Sequence, residues 1–104
     1  MNRKTASMLS LCRRAGCMVS GELPAEDALK ENKALLIIIA GDASENTKKK
    51  FLNKSKHYNV NAVVYGSKEE LSAAIGEYNR SVFAVIGNEH FADEIYTLIS
   101  QAVI

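Results

Sequence analysis

The feature that most constrains the fold of this chain is the apolar run Ala34–Ala40, which leads directly into Gly41-Asp42-Ala43-Ser44. A continuous apolar run of this length predicts a strand that is buried on both faces, and the polar residues behind it predict a helix cap. Folds of this kind place their ligand-binding loops at the carboxyl ends of such strands. The run therefore predicts an α/β domain whose functional surface is built from loops.

Three shorter segments show the same order of apolar residues followed by turn residues, namely 17–19, 60–65 and 81–86. Helical spacing predicts five helices around them. Three are predicted over residues 3–15, 24–32 and 68–75. Another follows the apolar run and ends at about residue 58, and the fifth begins after a cap at Asn88. The alternation predicts a single domain over residues 1–104, an α-β-α sandwich around a mostly parallel sheet.

Two positions can cap the third helix. Asp42 has Glu45 three residues on, and Ser44 has Thr47 at the same spacing. The sequence leaves both registers open. Asp42 also stands where a catalytic carboxylate would, but its capping role accounts for it.

Apolar side chains at helical spacing predict which helix faces are buried. The inward positions are Thr5, Met8, Leu11 and Cys12 on the first helix, Ala25, Ala28 and Leu29 on the second, Phe51, Leu52, Ser55 and Tyr58 on the third, and Phe91, Ile95, Leu98, Ile99 and Ala102 on the fifth.

Charge is distributed unevenly along a chain whose net charge is only +1. Residues 1–60 hold 11 Lys and Arg against 6 Asp and Glu, whereas residues 61–104 hold 2 against 6. The basic half suits an anionic partner, and it equally suits solvated helix faces. The five lysines of the third helix could likewise bind an anion or simply be solvated. Two of them, Lys50 and Lys54, share one helix face.

Catalytic and metal-binding patterns are missing from the sequence. Neither the Gly-x-Gly-x-x-Gly fingerprint nor the phosphate-loop pattern occurs. Cys12 and Cys17 are far from His57 and His90 and do not have zinc-ligand spacing. Reduced thiols, with Cys12 buried and inert, are the expectation. We therefore expect no catalytic residues, no metal and no cofactor.

Membrane insertion and secretion are not expected either. The longest apolar run is far shorter than the roughly 20 residues of a membrane-spanning helix. The amino terminus lacks the apolar segment of a secretory signal. The sequence therefore predicts a cytoplasmic protein.

Several sequence blocks occur in a fixed order. They are Val19-Ser20-Gly21, the stretch from Lys33 to Ser44 with Asn46-Thr47 and Lys49-Lys50 behind it, the block from Leu71 to Gly76, and Val82–Ile86. Together they resemble the kink-turn RNA-binding ribosomal-protein family, of the archaeal and eukaryotic large-subunit type, and in particular its small bacterial branch. The resemblance covers about residues 5–100. It implies a three-layer α-β-α sandwich with a four-stranded mixed sheet.

The resemblance also implies a non-enzymatic function. RNA would bind across the loops at one end of the sheet, with the start of the second helix in the major groove beside sheared G·A pairs and the last loop against an extruded nucleotide. Structured RNA, either ribosomal RNA or another kink-turn-like RNA, is the implied partner, with the ribosome as a candidate assembly and no DNA or membrane. The implied binding residues are Gly21, Glu22, Leu23, Pro24, Asp27, Lys30, Lys33, Asp42, Ala43, Tyr78, Asn79 and Arg80.

The start of the second helix departs from the family pattern. Strong kink-turn binders have Gly-x-Asn-Glu-x-x-Lys there, and this chain has Leu23, Pro24 and Asp27 at the last three of those positions. Ser72 also replaces a glycine that is usual in the family. Because leucine cannot hydrogen-bond to a base and aspartate repels phosphate, altered specificity is expected. The alternative is a protein-interaction module in which Leu23 and Pro24 contact a protein. A small-molecule site would need a polar pocket that the sequence does not display.

Overall fold

The computed structural model describes residues 1–102, and of Ala102 it describes the backbone only. Helices and strands alternate along the chain in the order α1 (Arg3–Arg14), β1 (Met18–Ser20), α2 (Glu22–Lys30), β2 (Ala34–Ala40), α3 (Glu45–His57), β3 (Asn61–Tyr65), α4 (Lys68–Ala74), β4 (Val82–Ile86) and α5 (Glu89–Ala102). The predicted α/β fold is confirmed. No helix in this part of the chain is long and apolar enough to cross a membrane.

The four strands form one mixed sheet in the order β1-β4-β2-β3. The β2 and β3 strands are parallel, with Ile38 opposite Val63. In contrast, β4 runs antiparallel to both of its neighbours, with Phe83 opposite Ser20 on one side and Ile38 on the other. The prediction of a mostly parallel sheet was therefore wrong, whereas the mixed sheet implied by the family resemblance is present. A strand buried on both faces has the same apolar pattern in either direction, so its sequence does not reveal its orientation.

Helices cover both faces of the sheet. The α2 and α3 helices contact each other, and α1 contacts α4 and α5. Between the two groups of helices, Leu36–Ala40 of β2 are fully buried. These layers form the α-β-α sandwich.

Two of the predicted inward leucines are instead exposed. On α1 the buried stripe is Thr5, Leu9 and Cys12, and Leu11 faces outward. On α3 Phe51 is buried, while Leu52 is exposed. Consecutive residues of a helix point about 100° apart, and in α1 and α3 the step from Cys12 to Leu11 and from Phe51 to Leu52 leads to the side that faces solvent.

The remaining predicted core positions differ little from those observed. Ala25, Ala28, Leu29, Phe51, Ser55, Ile95, Leu98 and Ile99 are buried, whereas Met8, Tyr58 and Phe91 are half-buried. The side chain predicted inward at Ala102 lies outside the described residues.

Backbone hydrogen bonds draw several loops together at one edge of the sheet. The Gly21 amide donates to the Val82 carbonyl at 2.8 Å, and the Ala40 amide donates to the Ser81 carbonyl at 2.9 Å. The Gly41 amide donates to the Gly66 carbonyl, also at 2.8 Å. The end of β1, the end of β2, the end of β3 and the start of β4 therefore meet there.

Candidate functional site

The loops at this edge form one surface, which we call the loop edge and define as Gly21–Pro24, Asp42–Ala43 and Tyr78–Ser81. A cleft of about 390 Å³ lies between the first and last of these segments. A second cleft of about 580 Å³ lies between Asp42, α4 and the loop that carries Tyr78. Because Asn79 lines both clefts, they form one continuous surface.

The start of α2 contributes backbone amides to the loop edge. Gly21 caps the helix with φ 103°, a conformation that favours glycine, and no side chain bonds the first turn. The first amides of a helix have no partner inside it, and Pro24 has no amide hydrogen. Since the Ala25 amide bonds the Gly21 carbonyl at 3.1 Å, the available donors are those of Glu22 and Leu23.

The Arg80 guanidinium lies beside Gly21 at the start of α2. A Cβ built on Gly21 would be 3.5 Å from Nη1 of Arg80 and 3.4 Å from Cδ of Pro24, which are ordinary van der Waals distances. Glycine is therefore favoured at this position by its φ of 103° and not by a lack of space. Arg80 lines one cleft with Glu22 and Leu23, so a side-chain cation shares that cleft with the residues whose amides are free.

Buried hydrogen bonds fix the loop before β4. The Ser72 carbonyl accepts a bond from the Glu77 amide at 2.8 Å, and the Ser72 hydroxyl bonds the backbone of Arg80. The Glu77 carboxylate lies 2.9 Å from the guanidinium of Arg13 and 3.6 Å from that of Arg80. Between these anchors, the Tyr78 side chain is 89% exposed.

Asp42 and Ala43 make structural contacts at the loop edge. Ser44 caps α3, since its hydroxyl accepts a bond from the Thr47 amide at 3.1 Å. Asp42 instead accepts a bond at 2.8 Å from the Lys68 amide, the first amide of α4, whose N-cap is Ser67. Ala43 is buried, and its amide donates to the Ala40 carbonyl at 3.0 Å.

Comparison with known sequences supports the identification of the fold and the family. A profile of the Ribosomal protein L7Ae/L30e/S12e/Gadd45 family matches residues 3–96. This chain belongs to that family. We refer to it below as the L7Ae family.

Two bacterial relatives lie within the same branch. The chain is 36% identical over 86 residues to "RNA-binding protein YlxQ" of Enterococcus faecium, covering 83% of this chain and 82% of the relative. It is 34% identical over 92 residues to the protein of the same name from Bacillus subtilis (strain 168), covering 88% and 91%. The expected resemblance to the small bacterial branch, YlxQ, is confirmed.

Solved structures show the same fold. A Bacillus halodurans protein of unknown function superimposes with a TM-score of 0.90 at 32% identity, covering 95% of this chain and 99% of that one. The Giardia lamblia 15.5kD RNA binding protein superimposes with a TM-score of 0.77 at 18% identity, covering 97% and 89%. The second comparison supports the fold alone.

The residues at which this L7Ae-family chain departs from the kink-turn pattern are all exposed on α2. Leu23 is 73% exposed at the loop edge. Pro24 lines the same cleft, and Asp27 lies exposed on α2 one turn beyond Leu23. The surface at the start of α2 therefore faces solvent and combines the apolar side chains of Leu23 and Pro24 with the carboxylates of Glu22 and Asp27.

The two predicted lysines lie away from the loop edge. Lys30 ends α2 and pairs with Glu26 at 3.3 Å. Lys33 pairs with Glu31 at 3.1 Å, immediately before the residue of β2 that pairs with Ile86. Ser81, immediately before β4, belongs to the loop edge, whereas Ile86 is the last residue of β4, so Lys33 is at the opposite end of the sheet.

Arg13, Ser72 and Glu77 were not among the predicted site residues, although they hold the loop that carries Tyr78. The unusual serine in the family block was a visible signal for Ser72. No sequence pattern links Arg13 to Glu77, because the two residues are 64 positions apart.

Proposed function

We propose that this L7Ae-family protein is a non-enzymatic RNA-binding protein that binds structured RNA at the loop edge. Kink-turn-like RNA is the primary candidate ligand, and ribosomal RNA with the ribosome around it is the candidate assembly. The observation that carries the proposal is that Arg80 lines the same cleft as the start of α2, where no side chain caps the free amides of Glu22 and Leu23. Relatives named RNA-binding protein YlxQ support the same ligand class.

The Arg80 guanidinium and the α2 amides suit a phosphate group. Amides at a helix start and arginine side chains are both common phosphate contacts, and such contacts fix the register of a protein on RNA. Glu77 lies 3.6 Å from Arg80 and bonds Arg13 on its other side, so two cations share one carboxylate. Arg13, Arg80 and Glu77 together carry one net positive charge, while the Glu22 carboxylate of the same cleft accepts a bond from the Thr47 hydroxyl of α3 at 3.4 Å.

Tyr78 and Asn79 suit an unpaired nucleotide. An exposed aromatic ring offers a stacking face for a base that has left its helix, and this is a common mode of RNA recognition. Asn79 has φ 55°, a left-handed conformation that asparagine tolerates, and its amide side chain is exposed between the two clefts. The amide can donate to and accept from a base edge.

Leu23 and Pro24 offer apolar contacts to an RNA ligand in place of hydrogen bonds. They can pack against ribose or the face of a base, but they cannot read sheared G·A pairs by hydrogen bonds. Asp27, one turn further along α2, disfavours a close phosphate. We therefore propose a weaker preference for the kink-turn than the Asn-Glu-Lys pattern provides.

The test is a fluorescence titration against a kink-turn RNA and a matched duplex without the G·A pairs, at two salt concentrations. We expect binding that weakens with salt, and we expect Arg80→Ala to lower the affinity several-fold. Lys33→Ala is the matched control, because it removes the same charge at the opposite end of the sheet. Equal losses in both variants, or no RNA binding by the wild-type protein, would overturn the proposal.

A protein-interaction module is the second candidate, and the exposure of Leu23 and Tyr78 favours it. Such a partner would bind with little dependence on salt, since the contacts would be mainly apolar. Leu23→Asp would abolish its capture, whereas Arg80→Ala would leave it largely intact. The opposite pattern supports RNA.

A further inference from the structure

One carboxylate on α2 holds three lysine side chains that come from two helices. Oε1 of Glu26 lies 3.3 Å from Nζ of Lys30, and Oε2 lies 3.0 Å from Nζ of Lys50 and 3.7 Å from Nζ of Lys54. The Glu26 side chain is only 14% exposed, whereas all three lysine side chains are more than a third exposed. The carboxylate therefore lies beneath an outward-facing layer of ammonium groups, which we call the lysine cluster (Lys30, Lys50 and Lys54).

The lysine cluster has more positive charge than its own carboxylate can neutralise. Within residues 1–102, no carboxylate other than that of Glu26 forms an ion pair with these three ammonium groups. Three cations on one anion leave a net charge of +2. An ion pair that merely joins two helices needs one lysine, and each further cation adds repulsion at short range. An external anion would offset that repulsion.

The lysine cluster lies on the same pair of helices as the start of α2. Near the loop edge, the Thr47 hydroxyl of α3 donates to the Glu22 carboxylate of α2 at 3.4 Å. Glu26 is one turn further along α2, and Lys50 and Lys54 are one and two turns further along α3. The two helices therefore run side by side in the same direction, from the loop edge towards the lysine cluster.

We propose that the lysine cluster binds the phosphodiester backbone of an RNA stem whose end is held at the loop edge. This inference rests on the proposed function and extends it to a second contact region. Lysines act on phosphates as point charges and release counterions on binding, so the contact adds affinity without reading sequence. Glu26 keeps the three ammonium groups together between the two helices.

The test compares Lys50→Gln/Lys54→Gln with a control double variant, Lys49→Gln/Lys56→Gln. Both variants remove two charges from α3, and glutamine keeps much of the side-chain length. Lys49 and Lys56 are exposed and form no ion pair within the described chain. Affinity is measured over a range of salt for two RNAs that share the loop-edge ligand, one with a long stem and one with the stem cut short. Circular dichroism verifies that both variants are folded.

We expect the cluster variant to reduce the slope of log affinity against log salt by about 2 on the long-stem RNA. Over a fourfold rise in salt, wild-type affinity would then fall about tenfold more than that of the variant. The control variant should keep the wild-type slope, and the short-stem RNA should not distinguish the cluster variant from the wild type.

Equal reductions in the cluster and control variants would overturn the inference, because they would show general attraction to a basic protein. An unchanged slope in the cluster variant, together with a loss in Arg80→Ala, would overturn this inference and leave the proposed function intact. A loss in the cluster variant without one in Arg80→Ala would overturn both, because the RNA would then be bound without the loop edge. Absence of binding by the wild-type protein would overturn both.

Discussion

The hydroxyl of Ser72 in α4 bonds both backbone polar groups of Arg80. It accepts from the Arg80 amide at 2.9 Å and donates to the Arg80 carbonyl at 3.3 Å. Ser72 is 2% exposed, so these bonds are shielded from water. One buried side chain thus fixes the backbone at the end of the loop that carries Tyr78, at a position where the family usually has glycine.

Ser72→Ala should destabilise the protein and loosen this loop. The substitution leaves the Arg80 amide without its partner, which typically costs about 1–3 kcal/mol when the group is buried. Urea denaturation measures the loss, and hydrogen exchange should show faster exchange of the Arg80 amide. Ser100→Ala, on the exposed face of α5, is the control. An unchanged Arg80 exchange rate would show that the hydroxyl does not hold the loop.

Gly41→Ala should destabilise the loop edge through a steric clash. A Cβ at this position would lie 2.8 Å from the carbonyl oxygen of Gly66, which also accepts the Gly41 amide bond. Relieving the clash moves the end of β2 away from the end of β3, with a cost typical of overpacking, about 1–3 kcal/mol. Thermal or urea unfolding measures it. Gly87→Asn serves as the control, because Gly87 has open space around it and its φ of 72° is one that asparagine tolerates. Equal stability of Gly41→Ala and wild type would refute the clash.

Alkylation should distinguish the two cysteines of the folded protein. Burial, with a smaller contribution from Cys17, raises the pKa of the Cys12 thiol to about 12. Only the thiolate is nucleophilic, so Cys12 should be unreactive at neutral pH while the partly exposed Cys17 is labelled. Mass spectrometry after iodoacetamide treatment tests this in native and urea-unfolded protein. Labelling of Cys12 before Cys17 in the native state would contradict the described burial.

The free energy of unfolding should decrease at low pH because Glu26 becomes protonated. A hydrogen bond from Lys50, aided by Lys30 and the nearby charges, holds the pKa of Glu26 below its usual range. The unfolded chain therefore binds a proton at higher pH than the folded protein does. The stabilisation is complete above the unfolded pKa and is lost as pH falls through the lower folded value.

Urea unfolding of wild type and Glu26→Gln from about pH 6 to about pH 3 measures this dependence, across the ordinary glutamate pKa of about 4.3. The wild-type protein should lose more of its free energy of unfolding over this range than the variant. Added salt should reduce the difference, because the ammonium groups are partly exposed. Parallel curves for the two proteins would show that the ion pairs do not contribute to stability.

The sequence could predict local structure better than the relations between distant segments. The run Ala34–Ala40 is a strand in both prediction and structure, because its pattern depends only on neighbouring residues. The antiparallel direction of β4 could not be read from the sequence, since Val82–Ile86 has the same apolar character in either orientation. Ser44, and not Asp42, caps α3. The sequence left both open, because the Asp42 carboxylate bonds the amide of Lys68, which is 26 positions away.

The candidate site shows the same division. The family resemblance implied Gly21–Pro24 and Tyr78–Arg80 as binding segments, and the fold brings Gly21–Pro24 into one cleft with Asn79 and Arg80. Lys33 stands close to this region in the sequence, yet the length of β2 separates it from the loop edge. The contact of Lys50 with Glu26 joins two helices that β2 separates in the sequence, and no local spacing predicts such a pair.

The place of β4 in the sheet sets an order for the folding of the nascent chain. Although β4 is synthesised after the other three strands of this sheet, it lies between β1 and β2 and bonds to both. While the polypeptide is still emerging from the ribosome, β1 has no neighbour in the sheet, and β2 can pair only with β3. A stalled chain that stops before Val82 would expose these edges to other chains. The appearance of Val82–Ile86, and not that of the first helices, is therefore the event that permits this sheet to close.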